Sequence, residues 1–251
     1  MNENPHFSLE ISIDIDAVNM ILTDVMDSVN MNSGENNLKQ NRARIGISQP
    51  YHHGDLRQAL IEAAQELLTK DQHDGFSLRE VAAHAGVSHN APYNHFADKR
   101  ELLTAVAATG YEALRERLLT ATAEIDNPEA ALIQSGIAYV CFGVENPSLF
   151  RLMFGSTLST IKQDSKSALA LAAAGAKGVL EQIIRRGVLA GVFVPPFKGP
   201  KGQQVLVLAA WSMVHGLTTL AIDGAVGGTG AVTNDYAEKV ARAFCRGIVR
   251  K

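Results

Sequence analysis

Between Ser88 and Lys99 the chain gathers side chains suited to hydrogen bonding with nucleic-acid bases. His89, Asn90, Tyr93, Asn94 and His95 recur at spacings that place them on the outside of one short helix. Asparagine carries a donor beside an acceptor, the pattern that pairs bidentately with adenine, and Ala91 offers a methyl contact to thymine. A helix that only packs does not expose such a set, whereas one entering a DNA major groove does. Competing chemistry is missing from the sequence. There is no nucleophile–base pair, so no catalytic residue and no enzyme activity are expected. Cys141 and Cys245 fit neither a metal spacing nor a C-x-x-C pattern. His52, His53, His73 and His84 read as surface or half-buried histidines, with no second spacing-matched cluster for zinc. The run Gly227-Gly228-Thr229-Gly230 lacks the Lys-Ser/Thr of a phosphate loop. Neither a metal nor a cofactor is therefore expected.

These residues need a corner and a support. Ser77 and Glu80 form an S-x-x-E capping box that starts a short helix, with Leu78, Val81, Ala82 and Ala85 on one face. Small Ala82 lets a second helix approach, and Gly86 can take the positive φ of a tight helix–helix corner. Ser88 reads as the N-cap of that second helix, with Pro92 within its first turn. Ahead of the pair, the stretch from Gly54 to Lys70 holds Leu56, Ala59, Leu60, Ala63, Ala64, Leu67 and Leu68 on one apolar side. It should cover the back of a helix-turn-helix and complete a three-helix module. Asp98 and Glu101 then make a D-x-x-E start for a long helix reaching about Glu124.

Beyond that helix the chain is an apolar helical array. Asn127-Pro128-Glu129 supplies a cap, an N1 proline and a first-turn acid for a helix to about Glu145. Asn146-Pro147 breaks it ahead of a very apolar segment holding Leu149, Phe150, Leu152, Met153 and Phe154. An Ala-rich helix follows from about Gln163 to Leu189, with Arg185 and Arg186 exposed, and GVFVPPFKGPKG reads as a loop. Gln203 to Ile222 is apolar almost all round, which implies burial on more than one side. Asn234 opens a last helix to about Val249. With many alanines and leucines and only 6% aromatics, the expected fold class is all-α.

Residues 1–50 differ. Leu9, Ile11, Ile13 and Ile15 alternate with polar residues like a strand without a hairpin partner, and a linker composition follows. Composition favours a disordered extension; a regulatory arm, or translation starting at an internal Met such as Met31, are the alternatives. Lys39, Arg42 and Arg44 read as a solvated linker, or as a basic arm along the DNA backbone. Residues 1–38 carry seven acids and no Lys or Arg, so the chain's net −3 becomes +4 once they are set aside. That modest charge implies weak non-specific DNA binding and reliance on a specific site. No apolar run reaches the roughly 18 residues of a membrane span, and the acidic N-terminus is unlike a signal peptide. The expectation is a cytoplasmic chain without membrane contact, in which Cys141 is a small buried side chain.

The segment VAAHAGVSHNAPYNHFADKRELLTAV resembles the helix-turn-helix of the tetracycline-repressor (TetR) family. It has the turn Gly86-Val87-Ser88, the Tyr93-x-His95-Phe96 end of the recognition helix, and Lys99 with Leu102-Leu103 beyond. The C-terminal half is similar to a subgroup with a Trp-x-x-x-His-Gly (WHG) signature, here Trp211, His215 and Gly216. Its companion run is Glu145-Asn146-Pro147-x-Leu149-Phe150-Arg151-Leu152-Met153-Phe154. Pro92 departs from the family, where an apolar residue such as leucine is common. The resemblance spans about residues 50–250. It implies a DNA-binding domain over 51–100, with the helix-turn-helix at about 77–95, and an effector-binding and dimerisation domain over 101–251. It also implies a homodimer on a palindromic double-stranded DNA operator, released by a small-molecule effector, with the last two long helices forming the subunit interface.

By match to that pattern and by helix-end geometry, Ser77, Arg79, Ser88, Tyr93, His95 and Lys99 are the phosphate-contact candidates. His89, Asn90, Ala91 and Asn94 are the base readers. Tyr93 and His95 have the alternative of simple packing within the small domain. Tyr139, Phe142, Phe150, Met153, Phe154, Trp211 and His215 are candidates to line the effector pocket. A plain helical core is the alternative for each of them taken singly. At the level of function, an architectural or effector-independent regulator and a small-molecule-binding protein with a vestigial helix-turn-helix remain open.

Overall fold

The computed structural model describes residues 56–71, 75–159, 164–226 and 234–249. Readings placed on residues 1–55, on His73 and on the 227–233 glycine run lie outside the described residues. The first helix, α1 (Leu56–Asp71), buries Leu60, Ile61, Ala64 and Leu68 as its periodicity demands. Next comes α2 (Leu78–His84), started by the expected capping box: Ser77 Oγ accepts from the Glu80 amide, and the Glu80 carboxylate accepts from the Ser77 amide at 2.6 Å. It ends in a Schellman turn. Val87 N–H donates to Ala82 O at 2.9 Å and Gly86 N–H to Ala83 O at 3.2 Å, with Gly86 at φ 70°.

The element after the corner differs from expectation. It is a 3₁₀ turn over Ala91–Asn94, preceded by Asn90, and Ser88 does not cap it. The reason lies in Pro92. An α-helix capped at Ser88 needs an amide hydrogen at residue 92 to reach the Ser88 carbonyl, and proline has none. The Ala91 amide takes that carbonyl instead at 3.0 Å, and Tyr93→Asn90 and His95→Pro92 continue the three-residue spacing. The Pro92 ring is fully buried, filling the inward position of the turn.

Helix α3 (Lys99–Thr122) starts where Asp98 Oδ1 accepts from the Glu101 amide and Glu101 accepts from Ala97 N–H, at 2.8 and 2.7 Å. Its near end packs on α1. Farther along it meets α4 (Pro128–Glu145), α5 (Pro147–Phe154) and, most extensively, α7 (Ala168–Leu189). The single turn α6 (Ser156–Ser159) follows α5. Asn127 caps α4 through the Glu129 and Ala130 amides, as its sequence requires. Helix α7 starts five residues later than expected because Ser167 supplies the cap, its Oγ accepting from Ala170 N–H.

Helix α8 (Pro200–Ile222) starts three residues earlier, with Pro200 at N1 and Gly199 taking φ 81° before it. Helix α9 (Asn234–Ile248) completes the array, and Val194 N–H donates to Ile248 O at 2.8 Å to pin the intervening loop. The apolar α8 is buried on one side only within a single chain: Leu206, Val207, Ala210 and Leu217 are inside. Val205, Leu208 and Leu220 remain 41–48% exposed. By length and composition the helix is also apolar enough to cross a membrane, with mean hydropathy 1.8 over an 18-residue window, although no uninterrupted apolar run in it reaches that length. Ser212 and His215 interrupt the apolar sequence within it.

Close backbone approach holds α4 against α8. A Cβ on Gly143 would overlap Thr218 and the Phe150 ring, whereas Gly178 in α7 faces open space. Gly143→Ala should therefore lower stability by about 1–3 kcal/mol, and Gly178→Ala should raise it by about 0.5–1 kcal/mol. Urea unfolding at one fixed protein concentration measures both, and changes of the same sign would refute the packing argument.

Candidate nucleic-acid interface and effector site

The corner at Gly86 and the buried pair Pro92 and Phe96 place the polar residues. Ser88, His89, Asn90, Tyr93 and Asn94 are exposed, while Ala91 and His95 are half-buried. Tyr93 is 53% exposed, so packing within the domain does not account for its side chain. Ser77 and Arg79 are exposed at the start of α2. Lys99 is half-buried, its ammonium 5.1 Å from the Phe76 ring centroid. The fold brings the ten sequence-derived residues to the helix-turn-helix and the start of α3. Ser88 accepts a backbone bond through its carbonyl rather than capping with its side chain.

A further cation stands beside this group and escaped the sequence reading. The Arg57 guanidinium lies 5.2 Å from the Phe96 ring centroid, linking the first turn of α1 to the end of the 3₁₀ turn. A lone arginine beside an apolar stripe gives no signal until folding carries Phe96 to it. His84 closes the other side of the module, its Nε2 2.6 Å from the Glu66 carboxylate of α1. Glu80 is held below the usual carboxylate range, first by the Ser77 backbone and then by its hydroxyl.

In the second half of the chain, Tyr139, Phe150, Phe154, Trp211 and His215 meet in one aromatic cluster between α4, α5 and α8. The His215 ring stacks on Phe150 at 5.2 Å and meets the edge of Phe154 at 4.8 Å. Trp211 Nε1–H donates to the Tyr139 oxygen at 3.1 Å, and the Tyr139 hydroxyl lies 2.9 Å from His215 Nδ1. Phe142 is buried but enters none of these ring contacts, and Met153 is buried with its carbonyl accepting from the Tyr111 hydroxyl at 2.9 Å. Tyr139, Phe142, Phe150 and Met153 thus sit as core side chains, whereas Phe154, Trp211 and His215 are half-buried. An open groove lies elsewhere, lined by Asn127, Glu129, Ala130, Ile133, Gln134 and Arg242. Burial pushes the Tyr139 and Tyr111 phenols well above their ordinary range and holds the His215 imidazole below its own.

Two family profiles match this chain. One, described as bacterial regulatory proteins of the tetR family, covers residues 60–106. The other, described as a tetracyclin repressor-like C-terminal domain, covers residues 132–244. Among solved structures, a protein with unknown function from Rhodococcus sp. RHA1 is 32% identical, with 81% of this chain and 100% of that one covered at a TM-score of 0.67. A tetR-family regulatory protein from Rhodococcus RHA1 shares the fold at 19% identity, with coverages of 79% and 99% and a TM-score of 0.61. A TetR family transcription regulator from Marinobacter aquaeolei VT8 does so at 19% identity, with coverages of 78% and 96% and a TM-score of 0.59.

A depressed imidazole pKa carries a sign for stability. Below the ordinary histidine value the unfolded chain binds a proton at His215 that the folded chain refuses, so acidification through that window favours unfolding. His215→Gln removes this contribution. Its Tm should fall less steeply than the wild type's between about pH 7 and pH 5 in calorimetry. Identical slopes would mean that folding does not hold His215 neutral.

Proposed function

We propose that this chain, which belongs to the tetR family of bacterial regulatory proteins and is a DNA-binding transcriptional regulator, acts as an effector-released repressor of a palindromic operator. The observation that carries the DNA-reading half is the exposed His89–Asn94 set, backed by buried Pro92 and Phe96. His89, Asn90, Ala91 and Asn94 read base edges in the major groove. Ser77, Arg79, Ser88, Tyr93, His95 and Lys99 hold phosphates and orient the module. Residues 51–100 form the DNA-binding domain and 101–251 the effector and dimer domain. Repression is the usual mode in the family, and the protein works in the cytoplasm without catalysing a reaction.

The exposed apolar side of α8, with Val205, Leu208 and Leu220, supports a homodimer in which α8 and α9 of each subunit form the interface. Two recognition turns about 34–36 Å apart then enter successive major grooves on one DNA face. The aromatic cluster is the effector site, in the manner of the Trp-His-Gly subgroup, with half-buried Phe154, Trp211 and His215 as its accessible side. Helix α5 supports the coupling between the two sites. It carries Phe150 and Phe154, packs against α1, and accepts the Tyr111 hydroxyl of α3 at the Met153 carbonyl. Gln65 of α1 also donates to Thr109 of α3 at 2.9 Å. A ligand entering beside Phe154 displaces α5 and, with it, α1 and α3, favouring a dimer whose half-site spacing misfits the operator. It can do so only by binding the two states unequally.

Footprinting on the upstream DNA of its own gene and neighbouring promoters tests the reading, and the absence of any sequence-selective footprint would sink it. Asn90→Ala should cost about 1–3 kcal/mol at the preferred base and relax specificity there. Lys99→Ala should weaken all sites alike and reduce the salt slope by about 1. Anisotropy titrations at several salt concentrations separate the two, and indistinguishable effects would undo the division into base readers and phosphate holders. Trp211 is the single tryptophan, so its emission should change when an effector binds, and operator affinity should fall with it.

A further inference from the structure

Resting on the reading of the aromatic cluster as the effector site, we infer that its polar relay selects planar, apolar ligands that present a hydrogen-bond acceptor to His215 Nε2, and selects against cations. The inference starts from Trp211. An indole N–H can only donate, so its 3.1 Å bond makes the Tyr139 oxygen the acceptor. Tyr139 keeps its phenolic proton, which burial retains. That proton needs an acceptor of its own in a buried site. His215 Nδ1, at 2.9 Å, supplies one, and Tyr139 has no other partner among the described residues.

Nδ1 is therefore bare. A neutral imidazole with a bare Nδ1 carries its proton on Nε2. The opposite tautomer would direct two donors at one phenol oxygen and strand the phenol's own proton. His215 Nε2–H has no partner among the described residues, and the ring is half-buried, so this donor is left for a ligand.

The surroundings set the remainder of the ligand's chemistry. Phe150, Phe154 and Trp211 surround the His215 ring at 4.8–5.8 Å and suit a flat apolar body. Aromatic faces alone also attract cations. Here the positive end of the Nε2–H dipole opposes one. Glu145, at the end of α4, is engaged by Arg117, and Asp223, at the end of α8, is engaged by Arg151 at 2.9 Å, so neither is left to offset a cation's charge.

Two experiments on the full-length protein test this. In ¹⁵N-histidine NMR near neutral pH, with the signal assigned by its loss in His215→Gln, His215 should carry its proton on Nε2. Tyr139→Phe should convert it to a mixture of tautomers. A proton on Nδ1 in the wild type overturns the inference, whatever binds. Calorimetry then compares 2-acetylnaphthalene, 2-ethylnaphthalene and a naphthyl trimethylammonium salt. The ketone should bind roughly three- to tenfold more tightly than the hydrocarbon, the worth of about one neutral hydrogen bond, and the cation most weakly. His215→Phe, which keeps the ring and removes the donor, should abolish the ketone's advantage and leave the hydrocarbon bound. Equal affinities, or preference for the cation, overturn this inference and leave the effector site standing. Failure of all three probes to bind overturns both.

Discussion

The constraint on which the candidate DNA-reading face depends is the missing amide hydrogen of Pro92. Without it the segment after the Gly86 corner tightens into a 3₁₀ turn of four residues, too short to be stable alone. Its neighbours hold it. On one side the Schellman turn at Gly86 fixes the entry, and on the other the Asp98 cap of α3 fixes the exit. Beneath it the Pro92 ring and Phe96 are buried. With the inner side of so short an element filled by those two rings, His89, Asn90, Tyr93 and Asn94 have only the outside available. The exposure of the candidate readers is thus a packing result.

The same economy of contacts runs along α3. One end, at Lys99, belongs to the DNA-binding module, while later turns carry Thr109, Tyr111 and Arg117, which bond Gln65, the Met153 carbonyl and Glu145. Exposed ion pairs such as Arg117–Glu145 are worth little individually. The connection is better ascribed to packing. At Gly110 an added Cβ would come within 2.7 Å of Met153 Sδ, so α5 lies directly against the α3 backbone. A shift of α5 cannot be absorbed by a loose side-chain layer there, because interiors are close-packed.

Helix α8 illustrates a different balance. Its inner side is ordinary core, and its outer side leaves Val205, Leu208 and Leu220 facing away from the chain. The sequence reads as apolar all round, which is true of the residue types. Which of those side chains the chain buries against itself is not a property of residue types at all, because it depends on which face the neighbouring helices cover.

Much of the fold was legible because capping and helical periodicity are local. The Ser77–Glu80, Asp98–Glu101 and Asn127 signals each fall where a helix begins. Where expectation failed, competing local signals were present: Ser88 lost to Pro92, and Ser167 and Pro200 redrew the starts of α7 and α8. The family and the polar set from His89 to His95 were likewise readable, since both lie within one short segment. The candidate site in the second half was legible only as a collection of aromatic residues. That Tyr139 stands between Trp211 and His215, that Phe142 lies outside the ring contacts, and that Arg57 rests on Phe96 follow from residues distant in sequence. By itself, then, the sequence determined where the helices form and which side chains are available to read DNA, because hydrogen bonding within a turn and apolar periodicity are written in neighbouring residues. The tertiary structure alone decided which donor meets which acceptor and which apolar face is left uncovered, because those depend on how whole helices pack across the core.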